Sequence, residues 1–129
     1  MTSRIDIRKS KGQAMVEFVF VLPILMLVLF GIIQFGITFS HYVTLTDAVR
    51  AGARTAAVSR QSPTRTSDVV AKVRASSENL IPSSNITVTS TWTHGSDVVV
   101  AATVPYSIHL LGLVIASGNL SSTTTERVE

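Results

Sequence analysis

The stretch that decides the fold is "FVFVLPILMLVLFGIIQFGITF", Phe18 to Phe39. It holds no charged residue, and the next one after it is Asp47. Its 22 residues at about 1.5 Å each make a helix of about 33 Å, against a hydrocarbon core of about 30 Å in a bilayer. Apolar side chains recur around every face, whereas a helix lying on a soluble core needs only one apolar stripe. The chain is therefore expected to cross a membrane once. A cleaved secretory signal fits less well, because the run exceeds the ~7–15 residues of a signal's apolar region and no A-x-A site follows promptly.

Charge sets the expected orientation. Arg4, Arg8, Lys9 and Lys11 precede the apolar run, while Arg50 and Arg54 follow at a distance. The excess of basic residues on the amino-terminal side places that end in the cytoplasm and the rest of the chain outside. Inside the run, Pro23 removes a backbone donor and is expected to bend the helix modestly. Gln34 is a polar residue in lipid, expected to face another helix. Gly31 and Gly36 allow close approach but lack the GxxxG spacing. One acid, Glu17, sits at the mouth of the run. The residues alone leave two readings for it, an interfacial acid near Lys11 or a functional group.

The helix is expected to continue past the membrane. "SHYVTLTDAVRAGARTAAVSR" (Ser40 to Arg60) is alanine-rich and free of proline, so one helix should run from about Ala14 to Ser59. Ala48, Gly52 and Ala56 recur every four residues and share a face, forming a stripe of small residues with Val49, Ala53 and Ala57 beside it. Such a stripe packs closely against something, either this chain's own outer part or a neighbouring subunit.

Beyond a loop at Gln61 to Thr66, "SDVVAKVRASSENLI" reads as a second helix capped by Ser67, with Val69, Val70, Val73 and Leu80 on one side. From Ile86 the apolar period becomes two, with Ile86, Val88, Ser90 and Trp92 alternating with threonines. "THGSD" supplies a turn and "DVVVAATVPYSI" a second strand, so 86–106 should form a hairpin. "IHLLGLVIASG" (Ile108 to Gly118) is too short to span a membrane and is expected as a loop or short helix covering the sheet. "NLSSTTTERVE" is expected as a polar edge strand. The fold class is thus α+β and membrane-anchored. A basic cytoplasmic leader (1–12) precedes a transmembrane helix (13–39), its extracytoplasmic continuation (40–60) and a small helix-plus-antiparallel-sheet domain (61–129). With few large apolar residues, that domain should depend on the long helix for its core.

Several functions are disfavoured. The net charge is +3, but the basic residues do not cluster and all five phenylalanines lie in the apolar run, so no nucleic-acid partner is expected. The chain has no cysteine, and His41, His94 and His109 stand far apart without carboxylates at ligand spacing. No metal or cofactor is expected. No serine sits in a Gly-x-Ser-x-Gly turn with a histidine–carboxylate pair, so no enzyme and no catalytic residue is expected.

A basic leader ending in glycine, then glutamate opening a long apolar helix, resembles the processing site of type IV pilins and pseudopilins. "GQAMVEFVFVLPILMLVLFGIIQFG" followed by "TLTDAVRAGARTAA" resembles, more closely, the TadE-like family of the tight-adherence (Flp) pilus system, over about Lys11 to Ala57. The resemblance implies a pilin-like, non-enzymatic minor pilin or pseudopilin of either TadE or TadF type in the bacterial inner membrane. It implies that a prepilin peptidase, an intramembrane aspartic protease, cuts after Gly12. Gln13 then becomes the new amino terminus and Glu17 the fifth residue of the mature chain. Other pilins and pilus-assembly membrane proteins are the implied partners beside the lipid bilayer. Glu17, Pro23, Gln34, Ala48, Gly52 and Ala56 are the candidates for subunit packing. Gln34 departs from the family, where many relatives carry glutamate. The alternative is an unprocessed single-pass anchor whose outer domain binds a ligand or protein.

Overall fold

The computed structural model describes residues 7–110 and 112–129, with side-chain surroundings from Gly12 onward. One helix, α1, runs unbroken over Ile7–Val58 and carries Pro23 inside it. It begins ahead of the expected Ala14 and ends one residue before Ser59. After a turn comes α2, Arg65–Ser76, then a single 3-10 turn at Ser83–Asn85. Three strands complete the chain: β1 (Ile86–Ser90), β2 (Asp97–Leu110) and β3 (Leu113–Arg127). They form one antiparallel sheet in the order β1-β2-β3.

The second helix differs from its expected bounds at both ends. Ser67 is not the cap; it lies inside α2 and its hydroxyl donates to Thr64 O at 2.7 Å. The entry is instead organised by Asp68, whose Oδ2 accepts from the Ser62 hydroxyl at 2.7 Å and the Thr64 hydroxyl at 2.9 Å. A carboxylate in the first turn also suits the positive end of the helix dipole. The helix stops at Ser76 because Glu78 and Asn79 take positive φ, 51° and 63°. Asn79 N then donates back to Arg74 O at 2.9 Å. Asparagine tolerates this conformation better than most residues. Leu80 therefore lies beyond α2, packed on the core from a turn.

Residues 86–106 form the expected hairpin, with β1 and β2 paired from Ile86–Ala102 to Ser90–Val98 and Gly95 at φ 79° in the turn. The segment Ile108 to Gly118 is the larger correction: it is neither loop nor covering helix. Leu110 pairs with Leu113, and β2 and β3 continue as a two-stranded ribbon to that tip. Valine and isoleucine favour a pleated strand, and cross-strand pairing satisfied the backbone without a covering role. The polar carboxyl-terminal stretch is the outer part of β3, at the sheet edge as expected.

Among the described residues the buried apolar cluster is aliphatic, with Trp92 packed against it. Val98, Val100, Ala102 and Val104 face inward from β2, Val69 and Val73 from α2, and Leu45, Ala48, Val49, Ala53 and Ala56 from α1. The domain thus uses the outer part of α1 as one wall. Glu129 N donates to Ala57 O at 3.0 Å and fastens the carboxyl terminus to the end of that helix.

Candidate functional site: the amino-terminal helix

Every residue of α1 from Gly12 to Ile33 is exposed. Phe18, Phe20, Leu25 and Ile32 are among the large apolar side chains left without protein cover. An apolar surface of this extent on all sides is stable only in lipid or against other apolar helices. By length and composition the helix can cross a membrane.

Gly12, Gln13 and Glu17 lie together on this helix and all three are exposed. A Cβ at Gly12 would meet nothing within 4 Å, so packing does not require glycine there. Glycine costs a helix interior about 1 kcal/mol relative to alanine. Gly12 is therefore a weak point in α1, open on all sides. Glu17 stands about 1.4 turns further on, with no salt-bridge partner within 4.0 Å among the described residues.

Gln34 is half-buried, and its backbone carbonyl accepts from the Thr38 hydroxyl at 3.0 Å. Phe35 and Phe39 stack at 6.3 Å between ring centroids. Pro23 is held within the continuous helix.

Of the two partners left open for the small-residue stripe, the structure shows this chain's own outer part, which corrects Ala48, Gly52 and Ala56 as subunit-packing candidates. Ala48 and Ala56 have no exposed surface, and Gly52 is buried with them. A Cβ on Gly52 would overlap a Val73 methyl, with methyls of Val100 and Val69 at 3.7 Å. The stripe admits this chain's own α2 and β2, leaving these three residues no surface for a neighbouring subunit. Alanine and glycine at these positions let α2 and the sheet approach the helix backbone closely.

Two features escaped sequence reasoning. Trp92 has φ 56°, rare for a bulky residue. Ser90 holds that bend by accepting from Trp92 N at 3.0 Å and donating to Asp97 O at 3.1 Å. The Arg65 guanidinium lies 5.2 Å from the Trp92 ring centre, and the two help to line a shallow cleft with Val70 and Arg74. The other is a pair: Ser107 Oγ lies 2.9 Å from His109 Nε2 on the exposed ribbon. No Asp or Glu occurs from Val98 to Thr125, so no carboxylate from the adjoining strands orients that histidine. Among the described residues no three His, Asp or Glu side chains gather as a metal site.

A long apolar amino-terminal helix, a second helix and a three-stranded antiparallel sheet define the α+β, membrane-anchored, pilin-like class. Within that class, the model of the TadE family, described as TadE-like protein, matches residues 12–54. The match covers the segment that carried the resemblance and identifies the TadE-like signature in this chain. With the apolar helix, it fits a single-pass membrane protein. The match ends inside α1, so the sheet lies beyond it. No curated protein and no solved structure matches the chain.

Proposed function

We propose that the chain is a non-enzymatic minor pilin or pseudopilin that a prepilin peptidase cuts after Gly12. The mature protein then supports assembly of a tight-adherence pilus for adhesion or secretion. The observation carrying this reading is that the TadE-like match takes in Gly12 and Glu17, which lie on the part of α1 that is uncovered on every face, Gly12 to Ile33. On this reading the leader is cytoplasmic, α1 crosses the inner membrane, and the sheet domain lies outside.

The chemistry follows from placement. A protease needs local access to the backbone, and Gly12 is an exposed glycine near the amino-terminal end of α1, where helix propensity is weak. Cutting there leaves an ammonium on Gln13. Between bare apolar helices in lipid no hydrophobic force selects one arrangement over another. A charged pair does: Glu17 of one subunit meets the Gln13 ammonium of its neighbour, each charge offsetting the other's desolvation, and the pairing fixes axial register. Pro23 and Gln34 lie on the same uncovered segment, available to neighbouring helices.

Glu17→Ala tests this pairing. The variant should insert in the membrane normally and fail to copurify with the other pilus components. Normal copurification would sink the pairing. The runner-up reading, an unprocessed anchor with a ligand-binding outer domain, finds its place at the cleft beside Trp92 and Arg65.

A further inference from the structure

We propose that the tip of the β2–β3 ribbon is a second membrane contact. Ile108, Leu110, Leu113, Val114 and Ile115 would enter the interfacial layer of the leaflet on the domain's side. The inference rests on α1 spanning a bilayer and is independent of any role in a pilus.

The ribbon's direction comes first. At its polar end Glu129 N bonds to Ala57 O, near the end of α1. Lower down, Val100 faces Gly52, its methyl 3.7 Å from where a Cβ would stand. Through these two points β2 runs back along α1 toward the apolar span. Ten residues from Val100 to Leu110 cover about 33 Å as a strand. Thirteen residues from Gly52 to Phe39 cover only about 20 Å as a helix. Even inclined at about 45° to α1, the strand advances about 23 Å along it. At any inclination up to about 45°, this length of strand brings the tip to the level of Phe39, where the apolar span begins.

A second observation agrees. Gln34, Thr38 and His41 are half-buried, whereas the span before Gln34 is wholly exposed. They continue downward the face formed by Leu45, Ala48, Gly52 and Ala56, the face on which the sheet packs. It is the side of α1 against which β2 packs at Gly52.

Composition then selects lipid as the occupant. No Asp, Glu, Lys or Arg occurs in the 28 residues from Val98 to Thr125. Leu113, Val114 and Ile115 are 73%, 57% and 60% exposed. Leu110 and Leu113 face each other across the ribbon, as do His109 and Val114, and the register shift leaves Ile115 as an added residue. Apolar side chains consequently emerge on both faces of the tip, which a strand covering a core does not need. Tyr106 lies one step above, its ring over Gly118 and its hydroxyl 3.2 Å from where a glycine Cβ would stand. That is the height at which an aromatic with a polar tip suits a membrane surface.

The absence of cysteine makes the test direct. Nitroxide-labelled Leu113→Cys, Thr89→Cys and Ile33→Cys full-length chains are reconstituted in vesicles of phosphatidylethanolamine and phosphatidylglycerol. Accessibility to oxygen and to a water-soluble nickel chelate is then measured. The oxygen-to-nickel ratio at Leu113 should approach that at Ile33 and exceed that at Thr89 several-fold. A ratio at Leu113 equal to that at Thr89 would overturn the proposal. So would spin–spin broadening at Leu113 that disappears on dilution with unlabelled chain, which would assign the tip to a second copy. An aqueous ratio at Ile33 would remove the span itself, and is distinguishable from failure at the tip alone.

Discussion

Two parts of one helix face different surroundings. From Gly12 to Ile33 α1 is exposed on every side, and its large side chains point outward all around. From Leu45 to Ala56 it buries one face completely, and apart from Leu45 and Val49 that face is glycine and alanine. Large apolar residues on every side suit a fluid apolar solvent. Small residues on one side suit a fixed protein surface brought close to the backbone. The difference shows that side-chain size and its periodicity, more than hydrophobicity, separate the lipid-facing part from the packed part.

Substitutions can break that contrast. Leu45→Ala removes the largest side chain the helix gives to the core and should destabilise the outer domain by about 3 kcal/mol. Urea unfolding of the detergent-solubilised full chain, followed by Trp92 fluorescence, would measure it. Gly52→Ala should cost less. Overlap with Val73 costs about 1–3 kcal/mol, partly offset by about 1 kcal/mol of better helix propensity. A net loss is expected in the same assay, and a gain would mean that α2 yields readily. Leu25→Ala, in the uncovered part, should change domain stability by less than about 0.5 kcal/mol. A change as large as that of Leu45→Ala would show that the two parts are not separate environments.

The sequence made the helix and the first hairpin legible because their signals are local. An uncharged apolar run, an alanine-rich continuation and a switch to period two at Ile86 each depend on a few neighbouring residues. The small stripe was visible too, but its partner was not. Whether Ala48, Gly52 and Ala56 meet another subunit or this chain depends on where Val73 and Val100 arrive in space. The segment Ile108 to Gly118 was misread because a short apolar run has no period to distinguish strand from loop or helix. Only its pairing across Leu110 and Leu113 decides it. The end of α2 was missed because Glu78 takes positive φ, which glutamate does not advertise. At the candidate site Gly12, Gln13 and Glu17 were legible from spacing and family resemblance, and the structure adds their exposure on a continuous helix.

The mass of the mature amino terminus tests the central claim most directly. Protein isolated from bacterial membranes should begin at Gln13, with the residues through Gly12 removed. A chain still beginning at Met1 would contradict processing and leave the unprocessed anchor as the better reading.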